Sequence, residues 1–145
     1  WDIVEGMTAD QCRSELRGRY PFLRDYPVIC MSGLTGRRVA KCLAAVAAVG
    51  QRRRSRISTA RLNQIVQLVT AEYPATHEGK EIRLLYATQH GVDPPSFTIF
   101  TNIPQQVPGN YRRYIEKRLR QEFDFAGTPL RIAWRRRKGE IGARK

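Results

Sequence analysis

Two clusters of basic side chains carry the clearest chemical potential in this chain. Arg112, Arg113, Lys117 and Arg120 recur at helical spacing, and Arg135, Arg136, Arg137 and Lys138 form an unbroken run. Guanidinium and ammonium groups gathered this way hold phosphate oxygens and displace their counterions, so the binding they support weakens with salt. The same residues also suit a solvated helix face and a charged tail. Other chemistry is poorly supplied. His77 and His90 have no Cys, His or paired acid at ligand spacing, so no metal centre is expected. Cys12, Cys30 and Cys42 are odd in number, lack Cys-Xaa-Xaa-Cys spacing and read as reduced core residues. Glu116 and Glu122 stand beside Arg and Lys on a helix and do not make a catalytic carboxylate pair. The sequence holds no Ser–His–acid or Cys–His arrangement and no Gly-rich phosphate loop ending in Gly-Lys-Ser/Thr.

Composition points the same way. Lys and Arg number 26 against 13 Asp and Glu, a net charge of +13 over 145 residues. Such an excess attracts polyanions, RNA first among them. A chain of this length buries roughly two thirds of its unfolded surface, enough for a real core. The longest apolar run, Cys42 to Val49, is too short to span a bilayer, and nothing near Trp1 resembles an export signal. A cytoplasmic, soluble monomer without a membrane partner is expected.

The elements that must position these residues follow from periodicity. Thr8 and Gln11 form a capping box opening a helix with an apolar stripe of Cys12, Leu16 and Tyr20, and Pro21 ends it. Pro27 to Met31 is a continuous apolar run between turn formers, the pattern of a strand buried on both faces of a parallel sheet. Ser32-Gly33 stands at its carboxyl end, where open α/β sheets place their ligands. A helix with Val39, Cys42, Leu43, Val46 and Val49 on one face follows Gly36. An Arg-rich linker at 51–57 separates this part, 1–50, from a second domain at 58–137, and the tail 138–145 is charged and expected to be disordered. In the second domain Ser58 caps a helix bearing Leu62, Ile65, Val66, Val69 and Tyr73, with Ile57 stapling to Leu62. Two strands follow, with Ile82, Leu84 and Tyr86 on one face of the first and Phe97, Ile99 and Thr101 on one face of the second. A helix from about Pro108 sets Tyr111, Ile115, Leu119 and Phe123 four apart, and Leu130, Ile132 and Trp134 alternate in a last strand. At this spacing Tyr111, Tyr114 and Trp134 read as core ahead of base-stacking residues. The order α-β-β-α-β predicts a two-layer sandwich, helices on one face of a small sheet.

Particular words within Leu84 to Arg137 resemble one family. Tyr86-Ala-Thr-Gln89, Pro94-Pro95-Ser96-Phe97, Phe100-Thr-Asn102, the helix Tyr111 to Phe123, and Gly127-Thr-Pro129 leading to Arg135-Arg-Arg137 occur in the order and spacing of the closing domain of Der, also called EngA, the bacterial double GTPases that act in ribosome assembly. The resemblance implies an α/β remnant of a P-loop GTPase domain followed by an α+β KH-like domain, hence a C-terminal fragment. Trp1-Asp2 resembles the end of the family's Asn-Lys-Xaa-Asp motif, which gives Asp2 the guanine-reading role. Ser32-Gly33 resembles its Ser-Ala motif, whose contact to the guanine oxygen is a backbone N–H that Gly can also supply. GTP and Mg²⁺ are the implied cofactors of the intact GTPase. The fragment itself, lacking the phosphate loop, is expected not to hydrolyse GTP. The implied partners are the large ribosomal subunit and its rRNA, through the two basic clusters, and the first GTPase domain of the same protein. KH domains that bind RNA clamp it with a Gly-Xaa-Xaa-Gly loop, and Ile103 to Asn110 holds only Gly109. The alternative is a free-standing KH-like RNA-binding protein without GTPase activity.

Overall fold

The computed structural model describes Trp1 and residues 4–137, which divide into two compact units. One comprises Trp1–Arg52 with Ala126–Thr128, the other Arg53–Phe125 with the chain from Pro129 onward.

In the first unit α1 (Ala9–Arg19) begins at the expected capping box. The Thr8 hydroxyl accepts from Gln11 N–H while the Gln11 amide oxygen accepts from Thr8 N–H, satisfying two donors the helix cannot reach. Tyr20 closes the helix, and Pro21 starts a short 3-10 turn to Asp25. α2 (Val39–Arg53) runs through the start of the Arg-rich stretch. The strand expected at Pro27 to Met31 does not form: this segment is irregular and pairs with no strand among the described residues. Its apolar pattern suits a sheet interior, yet ladder hydrogen bonds need neighbours on both sides, and the unit offers none. Apolar surface is left open as a result. Neither α1 nor α2 has a buried residue, and Leu34, Leu43, Val46 and Phe22 are well exposed. Gly127 in this unit has φ +76, and an added Cβ would lie 2.7 Å from Val49 Cγ2 and 3.0 Å from Pro27 Cδ, so a side chain there is excluded twice.

The second unit contains the core. α3 (Thr59–Glu72) is capped by Ser58, whose hydroxyl accepts from Arg61 N–H, and it buries Leu62, Ile65, Val66 and Val69. β1 (Ala75–His77) and β2 (Lys80–Ile82) make a small hairpin absent from the sequence reading, in which Ile82 belonged to the next strand. Its turn residues Glu78 and Gly79 both have positive φ, as a two-residue primed turn requires. β3 (Leu84–Val92), β4 (Pro95–Thr101) and β5 (Arg131–Arg136) form a sheet in that order, β3 antiparallel and β5 parallel to β4. α4 (Gly109–Phe123) supplies Tyr111, Ile115 and Leu119 to the same core as Phe97, Ile99 and α3. Phe97, Ile99 and Thr101 are wholly buried on one face of β4.

The face assigned to Tyr86 is corrected. A register shift between Leu84 and Tyr86 inverts the alternation, so Ala87 enters the core and Tyr86 stacks on Phe100, their ring centroids 4.3 Å apart. Tyr73 is also not core. It is half exposed at the end of α3, its ring against those of Tyr111 and Tyr114.

Candidate functional site

The two sheet edges are finished differently. At β3 the edge is closed by side chains: the Asn63 amide donates to Ala87 O at 3.0 Å and accepts from Ala87 N–H at 2.8 Å, copying a ladder partner. Two residues farther along β3, the Gln89 side chain accepts from Ile57 N–H at 2.8 Å and donates to Ser55 O at 3.0 Å. β5 has no such clamp. Among the described residues its backbone is paired with β4 alone, and Ile132 and Trp134 are partly buried beside α4.

Between α4 and β5 runs an open groove, formed of two hollows of 480 and 270 Å³ that share Arg112, Ile132 and Trp134. Pro104 and Gln105 border one end, Arg113 and Glu116 the other, with Arg135 and Arg136 on the strand side. The Arg112 guanidinium is committed within the fold. It donates to Val107 O at 3.1 Å and Pro104 O at 3.0 Å, and its central carbon lies 5.6 Å from the Trp134 ring centroid. Arg112 therefore ties the loop before α4 to the helix and covers the indole. Arg120 is committed as well, to Glu116 at 2.8 Å and to Phe125 O.

The two remaining phosphate-ligand candidates of the helix are of another kind, whereas Arg118, also on α4, is paired with Glu72 and Glu122. Arg113 and Lys117, four apart, are exposed and have no acidic partner among the described residues. Arg135 and Arg137 are likewise exposed and unpaired there, while Arg136 donates to Asn102 O at 3.1 Å. Lys138 lies outside the described residues. The structure thus separates the expected phosphate ligands into internal braces and free cations, and it brings Arg113, Arg135 and Arg136 around one groove. Ile132 and Trp134, which floor that groove, were visible in the sequence as alternating core residues; their position next to an open edge was not.

In the first unit Ser32 is buried and its N–H donates to Arg37 O at 3.1 Å, while its hydroxyl accepts from Thr35 N–H at 3.1 Å. These bonds shape a tight loop in which Gly36 and Arg38 have positive φ. Gly33 is exposed at its tip, with nothing within 4 Å of an added Cβ and no acceptor for its N–H among the described residues. The Arg38 side chain donates to Cys30 O, and the Trp1 ammonium donates to Met31 O at 2.9 Å, which sets the chain start beside this loop. Asp2 itself lies outside the described residues. The loop therefore presents one backbone donor with no acceptor among the described residues.

The described residues hold no cluster of His, Cys, Asp or Glu able to bind a metal ion, and no helix long and apolar enough to cross a membrane. Residues 56–135 match the family model described as KH-domain-like of EngA bacterial GTPase enzymes, C-terminal. The chain is similar to GTPase Der of Moorella thermoacetica, 41% identical over 139 residues that make up 94% of this chain and 32% of that protein. GTPase Der of a Synechococcus species is 43% identical over 140 residues, 93% of this chain and 31% of the relative. The chain thus spans about a third of the length of these relatives. With more than half of its residues matched by that model, and most of the remainder covered by these alignments, the chain belongs to the Der/EngA family of bacterial GTPases and carries the family's KH-like domain at residues 56–135.

Proposed function

We propose that this chain is the C-terminal part of a GTP-binding factor acting in assembly or stability of the large ribosomal subunit. Residues 1–50 are the end of a GTPase domain, 51–57 a linker, 58–137 a contact module, and 138–145 a basic tail. The observation that carries this reading is the similarity to GTPase Der along nearly the whole chain, front unit included. A free-standing KH-like RNA-binding protein would have no use for that front unit.

In the intact protein GTP would supply a nucleotide-dependent change of state. Here Gly33 N–H faces the guanine oxygen from the tip of a loop braced by Ser32, and Asp2 reads the ring N–H and amino groups. The residues that would hold phosphates and Mg²⁺ are absent from the sequence, so no hydrolytic step is assigned to it. The module contacts rRNA phosphates through cations that the fold leaves free, Arg113, Lys117, Arg135 and Arg137, and through Lys138 of the basic tail. It also serves as the surface met by the first GTPase domain of the same protein, in the cytoplasm.

The test is co-sedimentation of the 145-residue chain with purified large ribosomal subunits across a salt series, alongside a GTP hydrolysis assay. The expected result is binding whose salt slope flattens when Arg135, Arg137 and Lys138 are changed to Glu, with no Mg²⁺-dependent turnover above a heat-killed control. An unchanged slope would remove the basic run from the contact, and turnover would overturn the assignment of an incomplete nucleotide site.

A further inference from the structure

We infer that the open edge of β5 and the α4 groove beside it form a docking site for an extended, acidic protein segment that adds as a fourth strand. The inference rests on the reading of this unit as a contact module and names the chemistry of one of its partners.

Three observations converge on that occupant. First, the sheet has one edge blocked and one open. Asn63 takes up the outward backbone groups of Ala87 on β3 and the Gln89 side chain ties Ser55 and Ile57 beside it, whereas among the described residues no strand pairs with the outer edge of β5. An edge of this kind offers a row of donors and acceptors that a peptide backbone matches and a sugar-phosphate backbone does not. Second, the floor is apolar, with Ile132 and Trp134 at a two-residue interval, the repeat of side chains on one face of a strand. Third, the rim is cationic, since Arg113 and Arg135 have no acid to pair with among the described residues and Arg136 uses a single bond to a backbone oxygen. A second copy of the chain, also strongly basic, would bring like charge to like charge. A segment alternating apolar and acidic residues satisfies ladder, floor and rim together.

A nucleic acid would be drawn by the same charges, but the groove gives it less. Arg112 and Trp134 are stacked on each other, so the indole has one face already covered and the guanidinium is bonded to Val107 O and Pro104 O. Both groups are thus partly committed, which leaves less of either for stacking on a base or clamping a phosphate.

The experiment uses the 145-residue chain and a fluorescent peptide of alternating Glu and Val, with its Lys-Val counterpart and an oligouridylate as comparisons. Two further Glu-Val peptides carry N-methyl groups on alternate amides, one on each edge of the extended chain. The expected result is that Glu-Val binds, slows hydrogen exchange of the β5 amides, and loses about tenfold or more in affinity with Arg113→Glu/Arg135→Glu. One N-methylated peptide should bind and the other should not, a signature that charge attraction alone cannot give. Equal binding of both methylated peptides would overturn strand addition. Protection of β5 by oligouridylate and not by Glu-Val would overturn the peptide and make the groove a nucleic-acid site. A chain that ignores Glu-Val yet co-sediments with ribosomal subunits sinks this inference alone, and failure in both assays also sinks the reading beneath it.

Discussion

Asn63 illustrates how much of this sheet depends on one side chain. Its amide makes a complementary pair of bonds to Ala87, so replacing it strands a backbone donor and acceptor that the helix keeps from solvent. Asn63→Leu should cost about 1–3 kcal/mol, read from the urea midpoint at constant slope. An unchanged midpoint would mean that water replaces the amide there. Tyr111 gives a residue-scale prediction in pH. Burial pushes its phenol above the ordinary value of 10.0. Its proton is thus held more tightly folded than unfolded, and the associated stability is complete below pH 10.0 and lost as pH rises through the higher folded value. Stability measured from pH 8 to 11, roughly spanning the tyrosine range, should fall less steeply at the alkaline end in Tyr111→Phe than in the parent. Parallel curves would exclude Tyr111 as a contributor.

At the scale of the element, α4 carries two sorts of arginine that the sequence does not distinguish. Arg112→Gln should lower stability by about 1–3 kcal/mol, because it releases the Val107 and Pro104 carbonyls and uncovers Trp134. Arg113→Gln should stay within about 0.5 kcal/mol of the parent and weaken binding to polyanions instead; thermal melts and co-sedimentation on both variants separate the roles. The reason the distinction is illegible is physical: helical spacing shows which faces are polar, but the acceptors of Arg112 are backbone carbonyls of an irregular loop. Helix legibility was otherwise good, since Thr8, Gln11 and Ser58 are local caps and Leu62 to Val69 and Tyr111 to Leu119 repeat at helical period. Strands fared less well. Pro27 to Met31 has the right apolar content, but a strand is defined by its neighbours. The Glu78-Gly79 turn lacks the Asn or Asp that usually announces a primed hairpin, and the shift between Leu84 and Tyr86 leaves no mark in the alternation it breaks. For the candidate site, the cations could be read from the chain, while the groove they surround depends on β5 lying parallel to β4 at an edge.

For the whole molecule, burial is shared unequally between the units. Among the described residues up to Arg52, Cys30 and Ser32 alone are buried, whereas the second unit packs α3, α4 and both larger strands around Phe97, Ile99 and Phe125. Limited proteolysis with trypsin should therefore cut first in the front unit and leave a resistant fragment starting near Ile57; equal resistance of both units would contradict this. The one-sided finish of the β3-β4-β5 sheet has a last consequence, for assembly geometry. A sheet with two free edges can be extended without end, each added strand presenting a new edge, which is how fibres grow. With Asn63 occupying the outward backbone groups of Ala87 and Gln89 holding Ser55 and Ile57 beside it, extension is left to the β5 side. Any two such sheets meeting through β5 would cap each other and stop, so even misdirected pairing terminates at a finite particle.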